Sequence, residues 1–220
     1  MSIMVSEKKI LLIAYYFPPL GSIGAKRTIR YVRNLHKFGW EPYVITPRKW
    51  AYAEVETFWD NSETDEMQNY AQIYRTNFID ITKINKLVSS VPCLRRYISY
   101  LNRFLYYLPP EHCLGWLPFA FLKAKEIIEK YNIDVIYSTS APYLAHIIAY
   151  LLKKSTKRPW VADLRDEWSL HPYRKPLFEW QRFVDRKLEK KCLSNACKII
   201  TVSSLYKQQF QTIIGNYSKN

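Results

Sequence analysis

A doubly wound, mainly parallel α/β sheet is the architecture this sequence predicts, and three observations carry that reading. Short apolar runs of strand length alternate about six times with amphipathic stretches of helical period. The first run, Ile10–Tyr16, is continuous in apolar residues, as strands buried on both faces are. Glycine and proline punctuation falls where a strand must turn into a helix or a helix must stop.

The first run, Ile10–Tyr16, reads as a buried inner strand. Pro18 and Pro19 forbid helix immediately after it, and Gly21 and Gly24 permit a tight, flexible turn. The next stretch places Ile23, Ile29, Val32, Leu35 and Phe38 near helical spacing, with Lys26, Arg27, Arg30, Arg33 and Lys37 on the other side. Gly39 suits the residue just past a helix, and Pro42–Thr46 is the second strand. Residues 48–70 are polar and acidic and read as a surface loop, followed by a short third strand at Gln72–Arg75. A helical, cationic stretch spans Ile81–Tyr107 and stops at Pro109-Pro110. Trp116–Tyr131 is a helix, Asp134–Ser138 a strand, and Ser140-Ala-Pro142 opens a helix that runs to Lys154. The strand Trp160–Leu164 leads into Arg165-Asp166-Glu167-Trp168. Phe178–Leu193 is an amphipathic helix, Lys198–Val202 a strand, and Ser203 with Ser204 caps a last helix.

At 220 residues the chain suits one large α/β domain, and 48% hydrophobic residues are enough to build its core. The net charge of +14 points to an anionic partner, in the form of an acidic membrane surface, phosphorylated substrates or nucleic acid. The charge is uneven: residues 51–80 hold seven acids against one base. No zinc-finger, RNP or helix-turn-helix signature accompanies the basic excess, so nucleic acid is not an expected partner. Cys93, Cys113, Cys192 and Cys197 form no CxxC pair and have no histidine at zinc spacing; they read as reduced packing residues, and no metal site is expected. His36 and His146 fall on amphipathic helices and read as structural, and His112 and His171 on loops with no spaced ligand partner. No signal peptide is visible, and no run reaches the roughly 18 apolar residues of a spanning helix. The expected location is cytoplasmic, or peripheral on the inner face of the cell membrane.

The loop ending at Gly24 is a candidate anion cradle: amides near Gly21, Ser22 and Gly24 meet the positive end of a helix dipole, with Lys26 close by. Its spacing is GxxG rather than GxGxxG, and the second strand ends Thr46-Pro-Arg48 with no acid for a ribose, so a dinucleotide cofactor is not expected. The absence of GK[ST] likewise excludes a P-loop. Arg165 and Asp166 lie at the carboxyl end of a predicted inner strand, where open α/β folds bind ligands. Ser138 and Ser140 close the strand before; helix capping and ligand contact stand as equal readings for them, and for Ser203.

The stretches YYFPPLGSIGAKR, FGWEPYVIT, GWLPFA, DVIYSTSAPYLAHIIA, PWVADLRDEW and LEKKCLSNACKIITVSS, in that order, resemble the N-terminal domain of bacterial family-4-like glycosyltransferases of the GT-B fold, over nearly the whole chain. The resemblance implies retaining transfer of a sugar from a nucleotide-sugar donor to a lipid-linked or glycan acceptor, without a cofactor, in cell-surface polysaccharide or glycolipid synthesis. It implies that residues 1–210 form the acceptor-side Rossmann-like domain, with a helical insertion at about 81–108, and that 211–220 is a tail or truncated linker. Gly21, Ser22, Gly24 and Lys26 would then approach the donor diphosphate or the acceptor, Arg165 and Asp166 the transferring sugar, and Ser138, Ser140, Glu167 and Ser203 the acceptor or sugar. Many relatives carry a His-Asp pair where this chain has Arg165-Asp166. The family's donor domain, marked by two glutamates eight positions apart, is expected to be absent: no two glutamates here have that spacing. Activity of the chain alone is therefore not expected.

A rival reading is a non-catalytic, membrane-surface acceptor-binding or scaffold module. Cys93–Leu108, with leucines on one face among arginines and tyrosines, reads equally as an interfacial membrane helix or as a helix packed on its own domain.

Overall fold

The computed structural model describes residues 8–48, 59, 61–79, 113–169 and 179–214. The sequence reading of a helical insertion at 81–108, the helix Cys93–Leu108, His112, His171 and the tail from 215 lie outside these residues.

Six strands form one fully parallel sheet: β1 (Lys8–Ile13), β2 (Trp40–Pro47), β3 (Gln72–Thr76), β4 (Val135–Thr139), β5 (Trp160–Leu164) and β6 (Lys198–Thr201), in the order β3-β2-β1-β4-β5-β6. The inner strands are apolar on both sides because helices cover both faces. On one face, α1 (Ile23–Leu35) and α2 (Asn61–Gln68) pack Ala25, Ile29, Val32 and Met67 against Ile10, Leu12 and Val44. On the other, α3 (Leu117–Tyr131), α4 (Leu144–Thr156), α5 (Glu179–Leu193) and α6 (Ser204–Ile214) join a larger core around Leu11, Ile13, Ile136 and Trp160. The sheet is therefore doubly wound and Rossmann-like, as expected. The order in which strands are added reverses between β1 and β4, and the crevice outside their carboxyl ends is where such sheets bind ligands.

Helix ends follow local chemistry. A 3-10 turn, His36–Phe38, tightens the end of α1, and Gly39 stops it at φ 74° in the left-handed region, where glycine carries no Cβ penalty. Ser203 accepts the Tyr206 N–H at 3.2 Å and so caps α6.

One element departs from the sequence reading. Asn61–Gln68, expected as loop, is α2. Its single buried apolar residue, Met67, gives no periodic signal. Glu63 binds Lys26 and Glu66 binds Arg33, so cross-helix charge pairing settles this helix against α1.

Candidate functional site at the switch point

The loop after β1 is packed rather than flexible. Phe17, Pro18, Pro19 and Leu20 are all buried. The Arg75 guanidinium donates to the Pro18 carbonyl, and Leu20 bridges to Trp59. Gly24 is required by close approach: a Cβ there would stand 2.9 Å from the Tyr16 ring. Ser22 precedes α1, but its hydroxyl makes no capping bond.

Three cations, Lys26, Arg27 and Arg30, fall in the first two turns of α1, where no acid is present and the helix dipole opposes them. Part of the compensation comes from inside the protein. Lys26 pairs with Glu63 at 2.6 Å, and Arg27 Nη2 reaches the fully buried Asp163 carboxylate at 2.6 Å. Asp163 also accepts from the Tyr137 hydroxyl. Burial pushes the Asp163 carboxyl above the usual range, while Tyr137, Arg27 and Arg165 pull against it. Arg30 is exposed and pairs with no acid among the described residues.

Arg165 joins the two sides of the switch point. Its Nη1 donates to the Gly24 carbonyl at 2.8 Å, its Nη2 to Ala141 at 3.2 Å, and its Nε to Ser140. Three of five guanidinium N–H groups thus hold the loops after β1 and β4, and the other two make no bond among the described residues. Burial lowers the Arg165 pKa from its ordinary value. Arg165 forms no ion pair with the adjacent Asp166, which makes no hydrogen bond or ion pair among the described residues, because the guanidinium turns to carbonyls. Glu167 is half-buried, and its carbonyl accepts from Tyr143.

The serines divide. Ser138 is fully buried; its hydroxyl accepts from Trp160 Nε1 at 2.8 Å and meets His146 Nδ1 at 2.7 Å. That arrangement removes it from any ligand surface and makes His146 a core residue. Burial pushes the His146 pKa down to about 3. Ser140 is also buried, and its hydroxyl accepts the Arg165 backbone N–H at 3.4 Å. Ser203 is exposed at the end of β6 and serves as a cap.

A cavity of about 980 Å³ runs beside α1. Lys26, Arg27, Arg30 and Arg165 line it, and Leu35, Phe38 and Trp40 continue it in apolar form. The arrangement offers cations for a phosphate or diphosphate and an apolar run for a chain or ring attached to it. Gly21, Ser22, Gly24, Lys26, Arg165 and Asp166 fall in the segments that follow β1 and β5 at the same sheet edge, whereas the Ser138 hydroxyl, at the end of β4, is turned into the core. The sequence reading missed the Arg27–Asp163 pair. Its only signal was a base in the first turn of a helix and an acid ending an apolar strand, more than a hundred residues apart. No group of three or more His, Cys, Asp or Glu among the described residues is placed to hold a metal ion. No helix among them is long and apolar enough to cross a membrane.

No known protein family matches the chain, and no curated protein matches it. Among solved structures it is similar to a glycosyltransferase of Rickettsia africae ESF-5, at 19% identity and a TM-score of 0.49, over 93% of this chain and 39% of that one. It is also similar to HepE of Anabaena in complex with UDP and glucose, at 15% identity and a TM-score of 0.49, over 94% and 41%. The same protein with UDP-glucose gives 15% identity and a TM-score of 0.47, over 96% and 41%. The chain thus spans about two-fifths of the length of these structures.

Proposed function

We propose that the chain is the acceptor-side domain of a GT-B, family-4-like glycosyltransferase, working from a nucleotide sugar onto a lipid-linked or glycan acceptor. The single observation that carries this reading is the switch-point site. The cationic start of α1 and Arg165 line one cavity, and Arg165 also holds the Gly24 carbonyl of the glycine loop. In this reading Arg165 is a positioning residue first. It fixes the loops after β1 and β4 and keeps two N–H groups to meet the leaving diphosphate. Arg30 and Lys26 attract phosphate, and Asp166 orients a sugar hydroxyl. Gly21 and Ser22 offer backbone N–H groups beside them, and Glu167 lies at the rim.

Retention of anomeric configuration, a role in cell-surface polysaccharide or glycolipid synthesis, and work at the inner face of the membrane complete the proposal. Transfer is expected of this domain together with a donor-binding domain, and not of these 220 residues alone. Photocrosslinking tests the site. A photoactivatable UDP-sugar should label peptides covering residues 21–30 or 163–167, and labelling confined to other peptides would remove the reading. Sugar transfer by the purified chain alone would overturn its assignment as half of the machinery.

A further inference from the structure

Helix α5 inverts the usual arrangement of a surface helix. Its buried face carries Gln181, Asp185 and Glu189 as well as Cys192 and Leu193. Asp185 accepts the Trp168 indole N–H at 3.3 Å, and Glu189 accepts the Ser169 backbone N–H at 3.2 Å. Two of its three acids are thereby spent inside, holding the loop after β5. The outward face keeps five cations, Arg182, Arg186, Lys187, Lys190 and Lys191, against one carboxylate, Glu179. Burying carboxylates costs free energy, and an ordinary solvated helix sets its acids beside its bases on the outside.

Two large apolar side chains stand among these cations: Trp180 is 41% exposed and Phe183 58%. Lys187 Nζ lies 4.3 Å from the Phe183 ring centroid, with its stem along the ring and its charge outward. Both aromatics fall in the first turns of α5, the end nearest the carboxyl edge of the sheet, because the helix begins after β5 and runs back. Aromatic rings at one end of a cationic face match the interface of an acidic bilayer, whose headgroups attract bases and whose boundary accepts Trp and Phe.

We propose that the outward face of α5 docks on an anionic lipid bilayer, with Trp180 and Phe183 entering the headgroup region and the five cations lying over acidic headgroups. The assignment rests on the membrane-surface part of the reading above and not on sugar transfer, so vesicle binding and donor labelling fail independently. Docking this way sets the ligand edge of the sheet near the membrane.

The test is flotation of the purified chain with phosphatidylcholine vesicles, with and without phosphatidylglycerol. Binding should require phosphatidylglycerol and weaken with salt. Arg186→Gln with Lys190→Gln should lower the affinity about 25-fold, near 5-fold for each base. Lys125→Gln with Lys130→Gln on α3 removes equal charge away from the face and should lower it less than about 3-fold. Quenching of tryptophan emission by brominated lipid should fall in Trp180→Phe. Thermal unfolding checks that each variant is folded. Equal binding to neutral vesicles, equal loss in the two double variants, or tighter binding of a single-stranded oligonucleotide than of acidic vesicles would each overturn the proposal.

Discussion

Helices α1 and α5 are both strongly basic, yet their charges are handled in opposite ways. On α1 the counter-charges arrive from other elements: Glu63 and Glu66 from α2, and Asp163 from β5. On α5 the helix carries its own acids, but Asp185 and Glu189 face inward, and the outside stays cationic. The first arrangement fastens the structure around a ligand edge and leaves Arg30 and part of Arg165 available. The second leaves the five outward cations without an ion pair among the described residues. What a basic helix does thus depends on where its counter-charges sit, which its own sequence does not state.

The largest effect should come from breaking the buried pair on α1. Arg27→Ala leaves the buried Asp163 carboxylate without its ion-pair partner, held only by hydroxyls, and should cost about 3–5 kcal/mol in chemical denaturation. Adding Asp163→Asn should recover most of that loss. A single-variant cost below about 1 kcal/mol would show that Arg27 does not fasten α1 to β5.

The acids inside α5 should appear as a pH effect. Burial pushes the Glu189 carboxyl up to about 7 from an ordinary 4.5, so the folded chain holds its proton where the unfolded chain releases it. Its cost therefore grows as pH rises past 4.5 and is complete above about 7. Glu189→Gln should stabilise the protein by at most about 3 kcal/mol at pH 8 and leave it nearly unchanged at pH 4. His146 works in the other direction. Neutral in the fold down to about 3 against an ordinary 6.5, it contributes stability that is full above 6.5 and lost as pH falls. Denaturation midpoints across this range should rise from acid toward neutral and level or decline in the parent, and keep their alkaline side in Glu189→Gln.

Surface charges should matter least to stability. Lys26→Ala removes a pair whose lysine is 53% exposed and should cost about 0.5 kcal/mol. Arg186→Gln with Lys190→Gln should stay within about 0.5 kcal/mol of the parent. A loss of several kcal/mol there would mean that the outward face of α5 is structural.

All six strands were legible, because short strand-length runs set between helical stretches and bounded by turn residues have few alternatives in an alternating α/β pattern. Helix α2 was not, since NSETDEMQ has one apolar anchor and owes its place to charges on α1. At the site, the glycine loop and Arg165 were legible as a sheet-edge cluster, but their roles were only partly so. Gly24 is glycine because Tyr16 lies against it, and Arg165 first clamps two loops. Ser138 looked like a ligand contact because it ends a strand; only the positions of Trp160 and His146 show that it is sealed in the core. The inward acids of α5 were hidden for the same reason, since periodicity does not say that the buried face is polar.

The cationic edge of α1, and not the more basic outer face of α5, is the proposed phosphate-binding site. Titration of isotope-labelled chain with pyrophosphate, followed by amide chemical shifts, tests it most directly. Saturable shifts are expected at residues 21–30 and 163–167, lost in Arg30→Glu, with α5 unmoved. Shifts centred on residues 182–191, or an unchanged titration in Arg30→Glu, would contradict it.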